Sequence, residues 1–194
     1  MDKKVKIKFE NSPNAVPTNA VIEFEELSEV IPGERDSLCK LTPSARGVRT
    51  KPDWSDTEKS FLFPQNDETE YVDTGNQINH DVLPGSLWQP HVHIIQNQDV
   101  VPQFKYKYRI LNLGQPPSAW VEVLIDTAVY PYDDSGAMVN IIKIAERIDD
   151  GLVGKSTNIQ GELRRVTGDG YVGDLIVTDV DIHYLADGIG YTFG

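Results

Sequence analysis

Two histidines separated by a single residue, His91 and His93, are the side chains whose type and spacing point most directly to chemistry. On an extended strand alternate residues share a face, which sets the two imidazoles roughly 6.5 to 7 Å apart, a span from which both can grip one metal ion. They close the segment Pro84-Gly85-Ser86-Leu87-Trp88-Gln89-Pro90-His91-Val92-His93. A third ligand would have to come from His183, His80 or Asp99. The competing reading makes the imidazoles hydrogen-bonded groups at a sheet face or subunit contact. That structural role is the expected one, so no catalytic, cofactor-binding or metal-ligating residue is assigned.

Gly85, five residues and then His-x-His is also the spacing of the first cupin metal motif, and cupins are jelly rolls. The resemblance implies a metal-binding enzyme using His91 and His93. It breaks down at the carboxylate ligand, because Asn97 and Gln98 stand where cupins carry Glu and Asp99 comes one step later. The second cupin motif is not recognisable around His183. Other chemistry is weaker still. Ser86 has no nucleophile-elbow context, and Cys39 has no assigned histidine partner. Gly154-Lys155-Ser156 matches the end of a phosphate loop, but Asp149 occupies the place of the required glycine, so a long turn is expected there. Asp133, Asp134, Asp149, Asp150, Asp169 and Asp174 lie near glycines without an EF-hand spacing, which suits turns better than a calcium site.

The elements that must position these groups are strands. Apolar residues recur with period two in Lys3 to Glu10, Ala20 to Glu25, Thr69 to Asp73, Trp88 to Gln96, Gln103 to Leu113, Ala119 to Tyr130, Met138 to Ile148, Ile159 to Val166 and Tyr171 to Ala186. Met138 to Ile148 also fits a helical stripe, and is read as a strand. Turn clusters such as Asn11-Ser12-Pro13-Asn14 and Thr167-Gly168-Asp169-Gly170 separate the strands. The pattern predicts an all-β fold, an antiparallel two-sheet sandwich of jelly-roll type. Residues 1–60, rich in proline and mixed charge, are expected to form an extended N-terminal arm, and residues 61–194 the sandwich. The strand Phe104-Lys105-Tyr106-Lys107-Tyr108-Arg109-Ile110 has an apolar and a basic face, the latter expected to be solvated or paired with Glu122 and Asp126.

The chain has 194 residues, 18 Lys and Arg against 30 Asp and Glu, and a formal net charge of −12. Such a surface repels phosphate backbones and anionic membranes, so neither direct nucleic-acid binding nor membrane association is expected. Cys39 stands alone, which excludes an intrachain disulfide or thiolate cluster. The start, Met1-Asp2-Lys3-Lys4 followed by alternating charge, lacks a signal-peptide pattern.

Three segments in order resemble a group of small tailed-bacteriophage virion proteins: His80-Asp81-Val82-Leu83-Pro84-Gly85-Ser86 running into Pro90-His91-Val92-His93, the aromatic strand Phe104-x-Tyr106-x-Tyr108 ending in Asn112-Leu113-Gly114, and Val180-Asp181-Ile182-His183-Tyr184. The similarity spans residues 54–190, with Ile94 where the family often has Trp. It implies a non-enzymatic virion structural protein, a homotrimer serving as capsid decoration, head fibre or collar component. Its partners would be other virion proteins of the capsid or the portal and collar region, and assembly would take place in the host cytoplasm. A further alternative is a carbohydrate-binding module on a particle surface, with Trp54 and Trp88 as candidate aromatic platforms.

Overall fold

The computed structural model describes residues 3–9, 20–26, 33–43, 51–151, 153–154 and 156–186, all of them strand, turn or irregular backbone without helix. The strands are β1 (Lys3–Phe9), β2 (Ala20–Glu26), β3 (Gly33–Leu38), β4 (Lys40–Pro43), β5 (Asp53–Ser55), β6 (Ser60–Phe63), β7 (Val72–Gln77), β8 (Trp88–Gln96), β9 (Phe104–Leu111), β10 (Val121–Ile125), β11 (Thr127–Ala128), β12 (Met138–Lys143), β13 (Asn158–Arg165) and β14 (Leu175–Ala186). Two sheets pack face to face. One runs β10-β9-β13-β7-β4 and the other β11-β12-β8-β14-β6-β5, with β3 also on β14. Every ladder is antiparallel, and the chain repeatedly crosses from one sheet to the other, as in a jelly roll.

Alternation explains the core. In β9, Phe104, Tyr106, Tyr108 and Ile110 point inward while Lys105, Lys107 and Arg109 point out. Trp88 of β8 meets Tyr108 edge-on at 4.8 Å, and Phe63 of β6 meets Phe104 at 6.2 Å, so aromatic pairs join the two layers. The outward basic row is satisfied locally but not by the carboxylates expected. Lys105 pairs with Glu68, Arg109 donates to Gln160, and Lys107 and Arg109 lie over the Trp120 ring.

Several strands differ from the sequence reading. Met138–Lys143 is extended, as read, and stops five residues early. The single strand expected over Ala119 to Tyr130 is broken at Asp126, where the chain leaves β10 of one sheet to become β11 of the other. Thr69 to Asp73 is displaced to Val72–Gln77, whose inward positions include the polar Thr74 and Asn76. Within residues 1–60, β1 pairs with β2, β3 with β14, β4 with β7 and β5 with β6. Thus part of the segment read as an arm supplies strands to both sheets. Residues 1–2, 10–19, 27–32 and 44–50 of that segment, including Asn11 to Asn14, lie outside the described set.

One irregularity in β14 decides what the site looks like. Val177 pairs with Ile94 and Asp179 with His93, so Thr178 is an extra residue with no place in the ladder. Leu175 and Val177 face the core before it, and Val180, Ile182 and Tyr184 after it. The bulge reverses the parity of the strand. Asp181 and His183 therefore emerge on the outer face, where unbroken alternation would have driven them into the core.

Candidate functional site: a histidine and aspartate cluster on the outer face of β8 and β14

β8 lies between β12 and β14, and its odd-numbered residues Gln89, His91 and His93 face away from the core. Across the ladder His91 stands opposite Asp181, His93 opposite Asp179 and Gln89 opposite His183. On the far side of β14, β3 sets Asp36 opposite His183. His91, His93, Asp181 and His183, from two motifs far apart in sequence, thus share one patch. Although it lies on an outer face, His91 and Asp181 are each only 4% exposed.

The hydrogen bonds are ordered. Gln89 donates its amide nitrogen to the Ile144 carbonyl at 2.8 Å, which turns its Oε1 toward His91 Nε2 at 3.0 Å. An amide oxygen only accepts, so His91 Nε2 carries the proton and Nδ1 is left as a lone pair. That Nδ1 stands 3.8 Å from Asp181 Oδ1, and neither atom has a hydrogen-bond partner. His93 donates through Nε2 to Asp181 Oδ2 at 3.1 Å. His183 packs its ring against His91, with centroids 3.7 Å apart, and its Nε2 is paired with the Asp36 carboxylate.

These surroundings split the histidines. Burial, with the His183 ring next in effect, pushes His91 down to about 4 despite the pull of Asp181. The hydrogen bond to Asp181 holds His93 above its ordinary value against partial burial. His91 is thus a neutral base at neutral pH. His91, Asp181 and His183 each offer a ligand atom, all within 4.8 Å of one another.

The site differs from the pair suggested by the sequence. His91 and His93 share a face, but His93 is engaged with Asp181, while His183 joins His91. His80 is bonded to Ser156 instead, at 2.6 Å, and Asp99 is an exposed residue of the β8–β9 connection. Asp181 stands in the Val180 to Tyr184 motif, and period-two alternation counted along an unbroken β14 gives no sign that it turns outward. The remaining candidates resolve simply. Trp88 is a fully buried core residue, whereas Trp54 is 51% exposed and lies edge-on to Phe61. Cys39 is buried, which drives its thiol up to about 12, with Asp181 adding to the effect. Gly154 and Ser156 lie in a turn where Gly154 N–H donates to Thr157 Oγ1, and Lys155 lies outside the described residues. Asp133 accepts from Ser135 as a turn residue does, and Asp169 accepts from the Tyr171 N–H of its turn while its carboxylate is paired with Arg165 in the interior.

Fold and site together define an antiparallel two-sheet sandwich carrying a buried imidazole and carboxylate cluster on its outer face. No protein-family model matches the chain, and no curated sequence matches it. Among solved structures it is similar to the N-terminal CBM22-1 and GH10 modules of Clostridium thermocellum endo-1,4-β-D-xylanase 10B complexed with xylohexaose, at 13% identity and a TM-score of 0.34, over 80% of this chain and 26% of that one. It is similar to the enzymatically active domain of bacteriophage CBA120 tailspike protein 4, at 14% identity and a TM-score of 0.34, over 81% of this chain and 20% of the other. A third similarity, to Eiger TNF from S. frugiperda, has 11% identity and a TM-score of 0.30 over 83% of this chain and 98% of that one. The chain spans about a quarter and a fifth of the first two proteins.

Proposed function

We propose that the chain is a non-enzymatic structural protein of a tailed-bacteriophage particle, a homotrimer that decorates the capsid or belongs to a head fibre or collar. The observation that carries this reading is the union of the two motif segments behind the family resemblance. Pro90 to His93 and Asp181 to Tyr184 are neighbours in register on β8 and β14. The patch they make continues into an aliphatic row on the same outer face, Val139, Ile95, Ile176 and Leu62, one residue from each of four adjacent strands. Val139 is exposed and the other three are half-buried, so the row leaves apolar surface in water that a subunit contact would bury. The non-enzymatic role is supported by the burial of His91 and Asp181, which denies a substrate direct access to them.

Sedimentation equilibrium of the full chain tests assembly, and proteomics of density-purified particles from the encoding phage tests the station. The expected results are a mass about three times the 21.7 kDa chain and peptides of the chain in the particle band. A monomer at every concentration, or its absence from intact particles, overturns the reading.

A further inference from the structure

We propose that His91, Asp181 and His183 bind one divalent first-row transition ion, which ties β8 to β14. The proposal is independent of a viral origin, since it rests on unsatisfied atoms in the site itself. Gln89, oriented by the Ile144 carbonyl, fixes the proton of His91 on Nε2. The Nδ1 lone pair then faces Asp181 Oδ1, another acceptor, across 3.8 Å, and both atoms are buried and unpartnered among the described residues. Two buried acceptors facing each other call for a donor or a cation between them, because each alone has lost its water. A bridging water or a shared proton would serve these two atoms alone, whereas a cation engages the third ligand atom, on His183, as well.

The donor set then selects the cation. Two imidazole nitrogens and one carboxylate oxygen suit Zn²⁺ or Fe²⁺ and their neighbours, whereas Ca²⁺ and Mg²⁺ prefer oxygen throughout. The ligand atoms lie within 4.8 Å of one another, and an ion bound at about 2.0 to 2.2 Å draws such atoms to roughly 3.3 Å, a change that small side-chain rotations supply. The surroundings are those of a prepared site. Asp36 sits on His183, the carboxylate–imidazole pairing that sets a ligand's tautomer, and His93 holds the second oxygen of Asp181. Asp179 and Asp36 add negative charge facing the cluster, and Lys143, opposite His91 on β12, opposes it.

The test uses the full chain, stripped with EDTA and titrated with Zn²⁺ by calorimetry, with Co²⁺ as a visible-absorption probe. One ion per chain is expected, and a melting temperature raised by about 5 °C at a hundredfold excess of Zn²⁺ over its Kd. Asp181→Asn and His183→Gln should each weaken Zn²⁺ binding about 100-fold or more. Gln89→Leu, which touches no metal, should weaken it about 10-fold through loss of the His91 tautomer. Zinc-edge X-ray absorption of the loaded wild-type protein, which needs no variant to fold, should show two imidazoles. Absence of saturable binding, affinity unchanged in both ligand variants, or a shell of oxygen alone would each overturn the assignment.

Discussion

Among the described residues a densely partnered charge is that of Arg165, at the end of β13. Its guanidinium grips Asp169 with Nε to Oδ2 at 2.9 Å and Nη2 to Oδ1 at 3.0 Å, and also donates to the carbonyls of Gly173 and Tyr171. Both side chains are shut off from water, at 1% and 0% exposure. Breaking such a pair from one side strands the other charge, at a cost of about 3 to 5 kcal/mol. Arg165→Met should therefore lower the melting temperature by about 10 °C, and Arg165→Met with Asp169→Asn should recover part of the loss, both read by thermal denaturation. A second residue-scale expectation concerns the core tyrosines. Burial pushes Tyr108 up to about 12, and complete burial drives Tyr106 higher still. Unfolded, both phenols ionise near 10, so the native protein keeps protons that the unfolded chain has lost, and stability falls as pH rises from about 10 toward 12. Alkaline spectrophotometric titration of the native protein should count fewer phenolates than the eight tyrosines, with the remainder appearing only on unfolding. Release of all eight near pH 10 without unfolding would contradict that burial.

At the scale of the element, the sheet contact between β13 and its neighbours turns on Gly161. A Cβ there would lie 2.6 Å from Thr74 Oγ1 and from the Tyr106 ring, a ring held by a 3.2 Å hydrogen bond to that same threonine. Gly161→Ala should cost about 1 to 3 kcal/mol, seen as an earlier midpoint in urea unfolding with an unchanged slope. The same strands show why some elements were legible and others were not. β8, β9 and β13 have long apolar alternation and were read within two residues of their true bounds. β7 hid because its inward Thr74 and Asn76 are polar: Thr74 bonds Tyr106, and Asn76 donates its Nδ2 to the backbone at Ser37 and Leu38. β3, with Glu34, Arg35 and Asp36 in succession, owes its strand to the edge of β14 and not to any pattern of its own. In the site, His91 and His93 announced themselves by spacing and His183 was named as a possible partner. Asp181 was not, since its outward direction follows from one unpaired residue that no periodicity reveals.

At the scale of the whole molecule, the aliphatic row across β12, β8, β14 and β6 is the surface that the proposed trimer would bury. Val139, at 65% exposure, is the most accessible member of that row, and its side chain contributes nothing to the interior. Val139→Lys should leave the monomer's melting temperature within about 2 °C of the parent while shifting the sedimenting species from trimer to monomer. An unchanged trimer would place the contact on another face. Because the row adjoins the imidazole patch, packing against it would also close the remaining opening over His183 and His93.

Thr178 gives this architecture something like a reading frame. Each residue of β14 beyond it is assigned to the inside or the outside by the fact that Thr178 stays out of the ladder. Were Thr178 paired instead, the strand beyond it would shift by one as a gene does after a frameshift: Asp181 and His183 would be carried inward together, and Ile182 and Tyr184 outward, although every one of those residues kept its identity. Removing Thr178 altogether would keep the frame, because Val177 and Asp179 already oppose consecutive residues of β8. Substitutions in β14 are thus read locally, whereas pairing of the one supernumerary residue would be read along the whole of its second half.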